Sequence, residues 1–404
     1  MHTYAPTKNN LLKTKSPTLS RPYFFFFLVA LLLPFLLRSQ DPFYVHFFNN
    51  KSDFNPAMVG SKGALSLNLK YKDQWGASTI QPFRSFLSSV EESVPCSPFD
   101  YGFSFSLDEE GAGLLQTMEA GGKLAMALWR PSSTFNVRLG IAFQLAQKSI
   151  HFERLTFADQ LDPKYGLVDE NGMLNPTAFN PPNDNSSHWF FTPAVGVVFH
   201  RGQKDRYSKL ASVLGGISFH NLYSVGGKRT GNTESLLDIG TRIPFRVNAF
   251  AESEWILSNL RGNYVTITPF FLYSHQASLH YFQAGTKLWY NRLIAVGASY
   301  HFNNPSEEGA NTDWFTFSVE LGSQITKSNR FDLGFSYSNN FTGLRNIVGP
   351  IVEVSVSFHF LRSPVCAMLG KDNPLTNPGI GSICPTFTPA NKIYENIWYR
   401  SANK

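Results

Sequence analysis

Beyond residue 63 the apolar positions recur at every second residue. In IVEVSVSFHF, residues 351–360, Ile351, Glu353, Ser355, Ser357 and His359 fall on one side of an extended chain, and Val352, Val354, Val356, Phe358 and Phe360 fall on the other. A period of two with one wholly apolar face is the mark of a β-strand. The same reading predicts strands at 63–71, 83–90, 101–107, 113–117, 121–129, 134–147, 189–199 and 211–219, then at 243–256, 263–273, 278–290, 292–302, 312–322, 329–338 and 351–361. No segment between 63 and 361 carries a helical stripe.

Many of these segments run for roughly 9–12 residues, whereas a strand in a globular sheet averages about 5–6. A tilted strand of about 9–11 residues crosses a bilayer. Long strands with one apolar face, a polar or glycine-bearing opposite face and aromatic ends predict an all-β fold: a transmembrane antiparallel β-barrel of about 14 strands with a short soluble C-terminal tail. Closure removes free strand edges, so no backbone group is left facing lipid. A soluble sandwich or propeller is the competing architecture, but the chain shows no blade-length repeat.

The first 39 residues read as a signal peptide. Lys8, Lys13, Lys15 and Arg21 precede the apolar run YFFFFLVALLLPFLL at 23–37, and Arg38-Ser39-Gln40 follows. That run is short for a membrane-spanning helix, which needs about 20 residues. Residues 40–62 are expected to form a periplasmic segment ahead of the barrel at 63–361, and 362–404 a Pro/Gly-rich periplasmic tail.

Removing the leader changes the charge argument. The 404-residue chain has 35 basic and 29 acidic residues. Five of the basic ones lie before residue 40, leaving 30 against 29. The remainder is nearly neutral and carries no basic stripe, so nucleic acid is not an expected partner. Export permits disulfides. Among Cys96, Cys366 and Cys384, the last two are candidates for a bridge within the tail, and none has metal-ligand spacing.

Candidate chemistry is sparse. Asp159, Asp162, Asp169, Glu170 and Asp184 sit in the long polar connection 158–188, without the ligand periodicity of a calcium loop. That connection is expected to be an external loop or a plug folding back into the barrel. His200, His220, His275, His280, His301 and His359 fall at strand ends or on strand faces and read as structural or lumen-facing. Glu252 and Glu254 share a strand face and read as lumen lining. No GxSxG elbow appears. An enzyme and a cofactor are therefore not expected.

The stretch QDPFYVHFFNNKSDFNPAMVGSKGALSLNLKYKDQWG, residues 40–76, carries a further signal. Its Gln40-Asp41-Pro42 with Phe43 and Tyr44, its Asn55-Pro56-Ala57, its Gly60, Ser61, Gly63 and Ala64, and its closing Tyr71, Gln74 and Trp75 resemble the start of the PorP/SprF family of type IX secretion membrane proteins of Bacteroidota. Looser likeness continues at Pro193, Gly196, Val197, Gly216, Ser218, Phe219, His220 and Asn221. It extends to Ala295, Val296, Gly297, Tyr300, Pro350, Glu353, Ser355, Val356 and Phe358, and ends at Cys384, Pro385 and Phe387. The residue types also make local sense. Pro56 fixes φ and marks a rigid break, Gly60 permits a tight turn, and Trp75 closes the first strand where an amphipathic ring suits a membrane surface. Asp41, Pro42, Tyr44, Asn55, Pro56, Ala57, Gly60 and Trp75 are the candidates for a contact surface toward a partner.

The resemblance implies a non-enzymatic outer-membrane component of type IX secretion or gliding machinery that assists export or surface attachment of a secreted adhesin. Its implied partners are outer-membrane lipid, periplasmic ring or peptidoglycan-associated components, and that adhesin. A passive porin or hydrophobic-solute transporter, a barrel hydrolase and a soluble surface adhesin are the alternatives.

Overall fold

A computed structural model describes residues 44, 50–61, 65–76, 82–94, 99–111, 115–132, 135–180, 185–202, 208–223, 236, 243–260, 263–305, 313–326, 329–340 and 349–360. The expected signal peptide, the tail and all three cysteines lie outside these residues. The first seven strands are β1 (Leu65–Gln74), β2 (Phe83–Glu92), β3 (Phe99–Glu110), β4 (Leu115–Ser132), β5 (Phe135–Ile150), β6 (Phe190–Gly202) and β7 (Leu210–His220). The second seven are β8 (Arg246–Leu260), β9 (Asn263–Gln276), β10 (Leu279–Tyr290), β11 (Ile294–Pro305), β12 (Trp314–Thr326), β13 (Asn329–Asn340) and β14 (Ile351–Phe360). Each pairs antiparallel with the next, and β14 pairs with β1, so the sheet closes into a 14-stranded barrel. Leu65 stands opposite Phe360 on one side and Glu92 on the other. Among the described residues no helix is long and apolar enough to cross a membrane.

One element differs from the sequence reading. The segments 113–117 and 121–129 are a single strand, β4, which passes through Gly121-Gly122 without turning. Gly121 lies where a Cβ would meet the Phe143 carbonyl at 2.4 Å. The glycine pair therefore marks close backbone approach, which in sequence looks the same as a turn.

The alternation of faces is inverted relative to a soluble barrel. On β1 Ser66, Asn68, Lys70 and Lys72 are buried while Leu69 and Tyr71 are exposed. On β14 Glu353, Ser355, Ser357 and His359 point inward, as the pattern predicts. Phe103, Phe143, Ile217, Phe271, Val296 and Phe317 all stand outward, Phe103 with 62% of its surface free. A packed polar lumen inside an apolar outer wall is the arrangement in which a barrel is solvated by hydrocarbon.

The connections divide by end. At the end where β1 begins and β14 stops, 133–134, 261–262, 291–293 and 327–328 join strands in a few residues. At the far end, the stretches 151–189 and 221–245 are the longest connections. The described part of the first of these is a largely exposed loop with two 3-10 turns, its Phe152, Phe157 and Phe179 rings packed together.

Candidate functional site inside the barrel

Residues 50–61 fold into a compact segment: a one-turn helix, α1 (Lys51–Phe54), then a 3-10 turn at Pro56–Met58. The local reasons are legible. Pro56 starts the turn at a position where no N–H is needed and φ is preset. Asn55 caps it, its Oδ1 accepting the Ala57 N–H at 3.0 Å. Gly60 leaves the turn at φ +70, where a side chain would be strained and a Cβ would lie 2.9 Å from that of Asp100.

The sequence reading placed 40–62 ahead of the barrel. Residues 50–61 instead pack inside it, against inward-facing side chains. Asn55, Ala57 and Val59 are wholly buried, and Met58 nearly so. Their seat is made of missing side chains. Gly140 on β5 and Gly196 on β6 are opposite one another, and Gly216 lies on the neighbouring β7. A Cβ on Gly140 would sit 2.2 Å from the Ala57 nitrogen, and one on Gly196 would sit 2.1 Å from Asn55 Oδ1. On Gly216 it would sit 2.9 Å from Asn55 Nδ2. Gly102 on β3 likewise makes room for Val59. Backbone approach this close admits only glycine.

Polar groups complete the fit. Asn55 Nδ2 donates to the carbonyls of Val197 (3.2 Å) and Ile217 (3.1 Å). The Phe54 carbonyl, at the end of α1, accepts from Ser218 Oγ (2.6 Å) and Asn248 Nδ2 (3.1 Å), with His220 Nε2 at 3.1 Å. That satisfies an orphan acceptor a helix end would otherwise leave. Arg138 Nη2 donates to the Val59 carbonyl and to Asp100 Oδ2, both at 2.7 Å. Glu91 accepts from Gly60 N at 3.2 Å and from the Ser52 hydroxyl. Lys51 pairs with Glu252, and Lys123 with Asp53. The apolar side of the segment joins Phe54, Ala57 and Met58 to Val198, Leu214, Phe250, Phe270 and Leu272 in one core. Burial of Phe54 and Met58 contributes roughly 1.5–3 kcal/mol each.

Elsewhere the lumen wall is lined by side-chain pairs: Lys287 with Glu320, Arg292 with Glu254, and Asp332 with both Arg330 (2.7 Å) and His359 (3.0 Å). His301 is wholly buried, its Nδ1 2.6 Å from Tyr281 Oη and its Nε2 2.7 Å from Thr316 Oγ1. A chamber of about 140 Å³ lies beside the segment, lined by Tyr44, Asp53, Lys70, Asp108, Glu119 and Arg246 among others. The Lys70 ammonium stands 5.2 Å from the Tyr44 ring centre.

Of the residues singled out from sequence, Tyr44, Asn55, Pro56, Ala57 and Gly60 come together in the lumen. Gly196, Gly216, Ser218 and His220, which carried the resemblance in a distant part of the chain, make up their seat. Trp75 stands apart, just past β1 at φ 68, its N–H bonded to the Pro350 carbonyl at 3.0 Å and its ring edge-on to Phe83. Asp41 and Pro42 lie outside the described residues. Sequence reasoning missed Gly140, Lys123 and Arg138; the available signal was a glycine or a cation in the inward phase of an alternating strand. In the 151–189 loop, the Ala178 N–H and the Thr177 hydroxyl hold the Asp159 carboxyl below its ordinary range. The Met173 and Asn171 N–H groups do the same for Asp169. These are turn-closing bonds.

No curated protein matches the chain. Among solved structures it is similar to the outer membrane protein Omp33 of Acinetobacter baumannii, at 8% identity over 73% of this chain and 98% of that one, with a TM-score of 0.36. It is similar to the toluene transporter TbuX of Ralstonia pickettii at 11% identity over 76% and 92%, with a TM-score of 0.38. A ferric enterobactin receptor of Pseudomonas aeruginosa matches at 9% identity and a TM-score of 0.31, over 68% of this chain but only 44% of that one. Superpositions this loose carry no argument about function. The family model described as type IX secretion system membrane protein PorP/SprF matches residues 36–358, a span that takes in the luminal segment, its glycine seat and nearly all of the barrel, and the chain belongs to that family.

Proposed function

We propose that this protein is a non-enzymatic outer-membrane component of type IX secretion, a closed barrel that works by holding partners rather than by passing solutes. The observation that carries this reading is the luminal segment 50–61, which ties β2 to β9 across the interior of a barrel whose wall is apolar outside. A passive porin needs a water-filled passage. Here the equivalent space holds a folded, hydrogen-bonded segment and several buried ion pairs. Family membership supplies the secretion context. On this reading the short-turn end faces the periplasm and meets ring or peptidoglycan-associated components. The long loops face outward and meet a secreted adhesin during export or surface attachment. Asp41, Pro42 and Tyr44 are proposed as partner contacts, Tyr44 from the chamber on the long-loop side of the lumen.

The test is affinity purification of the tagged protein from detergent-solubilised outer membranes, with mass spectrometry of what accompanies it. Recovery of periplasmic secretion components or of a large surface adhesin is the expected result. A barrel that purifies alone and conducts ions as a stable open channel in planar bilayers would overturn the proposal in favour of a porin.

A further inference from the structure

The hairpin β9–β10 turns at the far end through Ala277 and Ser278, with Ala277 at φ +53. One step before the turn, His275 and His280 are directly opposed across the two strands. Their neighbours Ser274, Gln276 and Tyr281 are buried in the lumen, so alternation sends both imidazoles to the outer wall. There the rings stack, centroids 4.3 Å apart and planes 20° from parallel. Each ring is held at one nitrogen. His275 Nδ1 lies 3.2 Å from the Leu279 carbonyl, which only accepts, so Nδ1 carries a proton and, in the neutral ring, the lone pair is on Nε2. His280 Nδ1 lies 3.0 Å from Tyr273 Oη, and the Tyr273 ring stacks on His280 at 6.3 Å.

We propose that His275 and His280 form a two-histidine site for a first-row divalent cation of the kind imidazole prefers: Cu²⁺, Ni²⁺ or Zn²⁺. A histidine that ligates through one nitrogen is held by a hydrogen bond from the other, to a carbonyl, a carboxylate or a hydroxyl. His275 already has that arrangement. His280 gains it when its Nδ1–H donates to Tyr273 Oη, which frees Nε2. Metal–imidazole bonds of about 2.0–2.1 Å hold two ligating nitrogens no more than about 4 Å apart, with the metal in the plane of each ring, so the stacked rings, centroids 4.3 Å apart, must leave their parallel stack to share one. A rotation of the rings about their side-chain bonds turns the two lone pairs toward one point. Among the described residues no group of three His, Cys, Asp or Glu side chains assembles, so water completes the coordination sphere and the affinity is that of a two-ligand surface site.

The test uses the untagged full-length protein in detergent, titrated with Cu²⁺ and read by electron paramagnetic resonance. The expected spectrum shows one Cu²⁺ per chain with two imidazole nitrogens coupled to it. His275→Ala or His280→Ala leaves one nitrogen and weakens binding at least tenfold or so. His275→Gln, which keeps a polar side chain of similar reach, controls for folding and behaves like the alanine variant. Tyr273→Phe keeps both nitrogens and weakens binding by about 10–100-fold. A wild-type protein that takes up no stoichiometric Cu²⁺, or a spectrum unchanged in both histidine variants, overturns the proposal.

Discussion

Asn55 uses a single amide group three times. Its oxygen caps the 3-10 turn and its nitrogen is shared between two strand carbonyls, all without access to water. Asn55→Ala leaves those groups unpaired in a buried site. The expected loss is about 1–3 kcal/mol of unfolding free energy, measured by denaturant melts in detergent. Gly196→Ala tests the other side of the same contact. Its added methyl would overlap Asn55 Oδ1, and overpacking of this sort costs about 1–3 kcal/mol. The two variants share a partner, so their effects should fall short of additive when combined. In the 151–189 loop the depressed carboxyl of Asp159 sets a pH dependence. The ion is favoured by folding, so its bonds to Ala178 and Thr177 are fully present above the ordinary carboxylate range and are lost as pH falls through the lowered value. Amide hydrogen exchange at Ala178 should quicken, relative to its intrinsic rate, only in that acid window.

At the scale of elements, the strands could be read directly and the luminal segment could not. Two-residue alternation is a local property, so β14 and its two faces follow from ten residues of sequence, and the inverted wall follows from repeating that reading. Where β4 was split in two, a local rule met a distant cause, since Gly121 answers to Phe143 on the next strand. The same limit hid the seat of residues 50–61. Asn-Pro-Ala reads as a break before a strand, and nothing nearby shows that its counterpart is a row of glycines more than eighty residues downstream. Gly140, Gly196 and Gly216, each in the inward phase of its strand, were the trace left in the sequence. Replacing residues 50–61 with a flexible Gly/Ser linker should remove the brace between β2 and β9. Single-channel recording should then show larger and more frequent openings than wild type, while circular dichroism retains the strand signal.

At the scale of the whole molecule, an apolar wall around a polar lumen sets which substitutions are tolerated where. On the proposed placement in the outer membrane, Phe103→Arg puts a guanidinium on the lipid-facing side, with a cost of about 2–4 kcal/mol at mid-depth that falls toward zero near either rim. Folding titrations in lipid vesicles measure it, and Phe99→Arg, nearer the strand end, should cost less.

The luminal segment also orders events in time. It is made before any strand of the barrel, yet its hydrogen-bonded partners lie up to 201 positions later, on β8, and its apolar partners later still, on β9. Until β9 exists, the cage for Phe54 and Met58 is incomplete, and their apolar surface is exposed. Contacts this remote in sequence form slowly, because long loops must close before they are rewarded. The piece synthesised first is therefore among the last to settle. A chain cut short anywhere before β9 would carry an unseated segment, and that exposed surface would distinguish an unfinished barrel from a completed one.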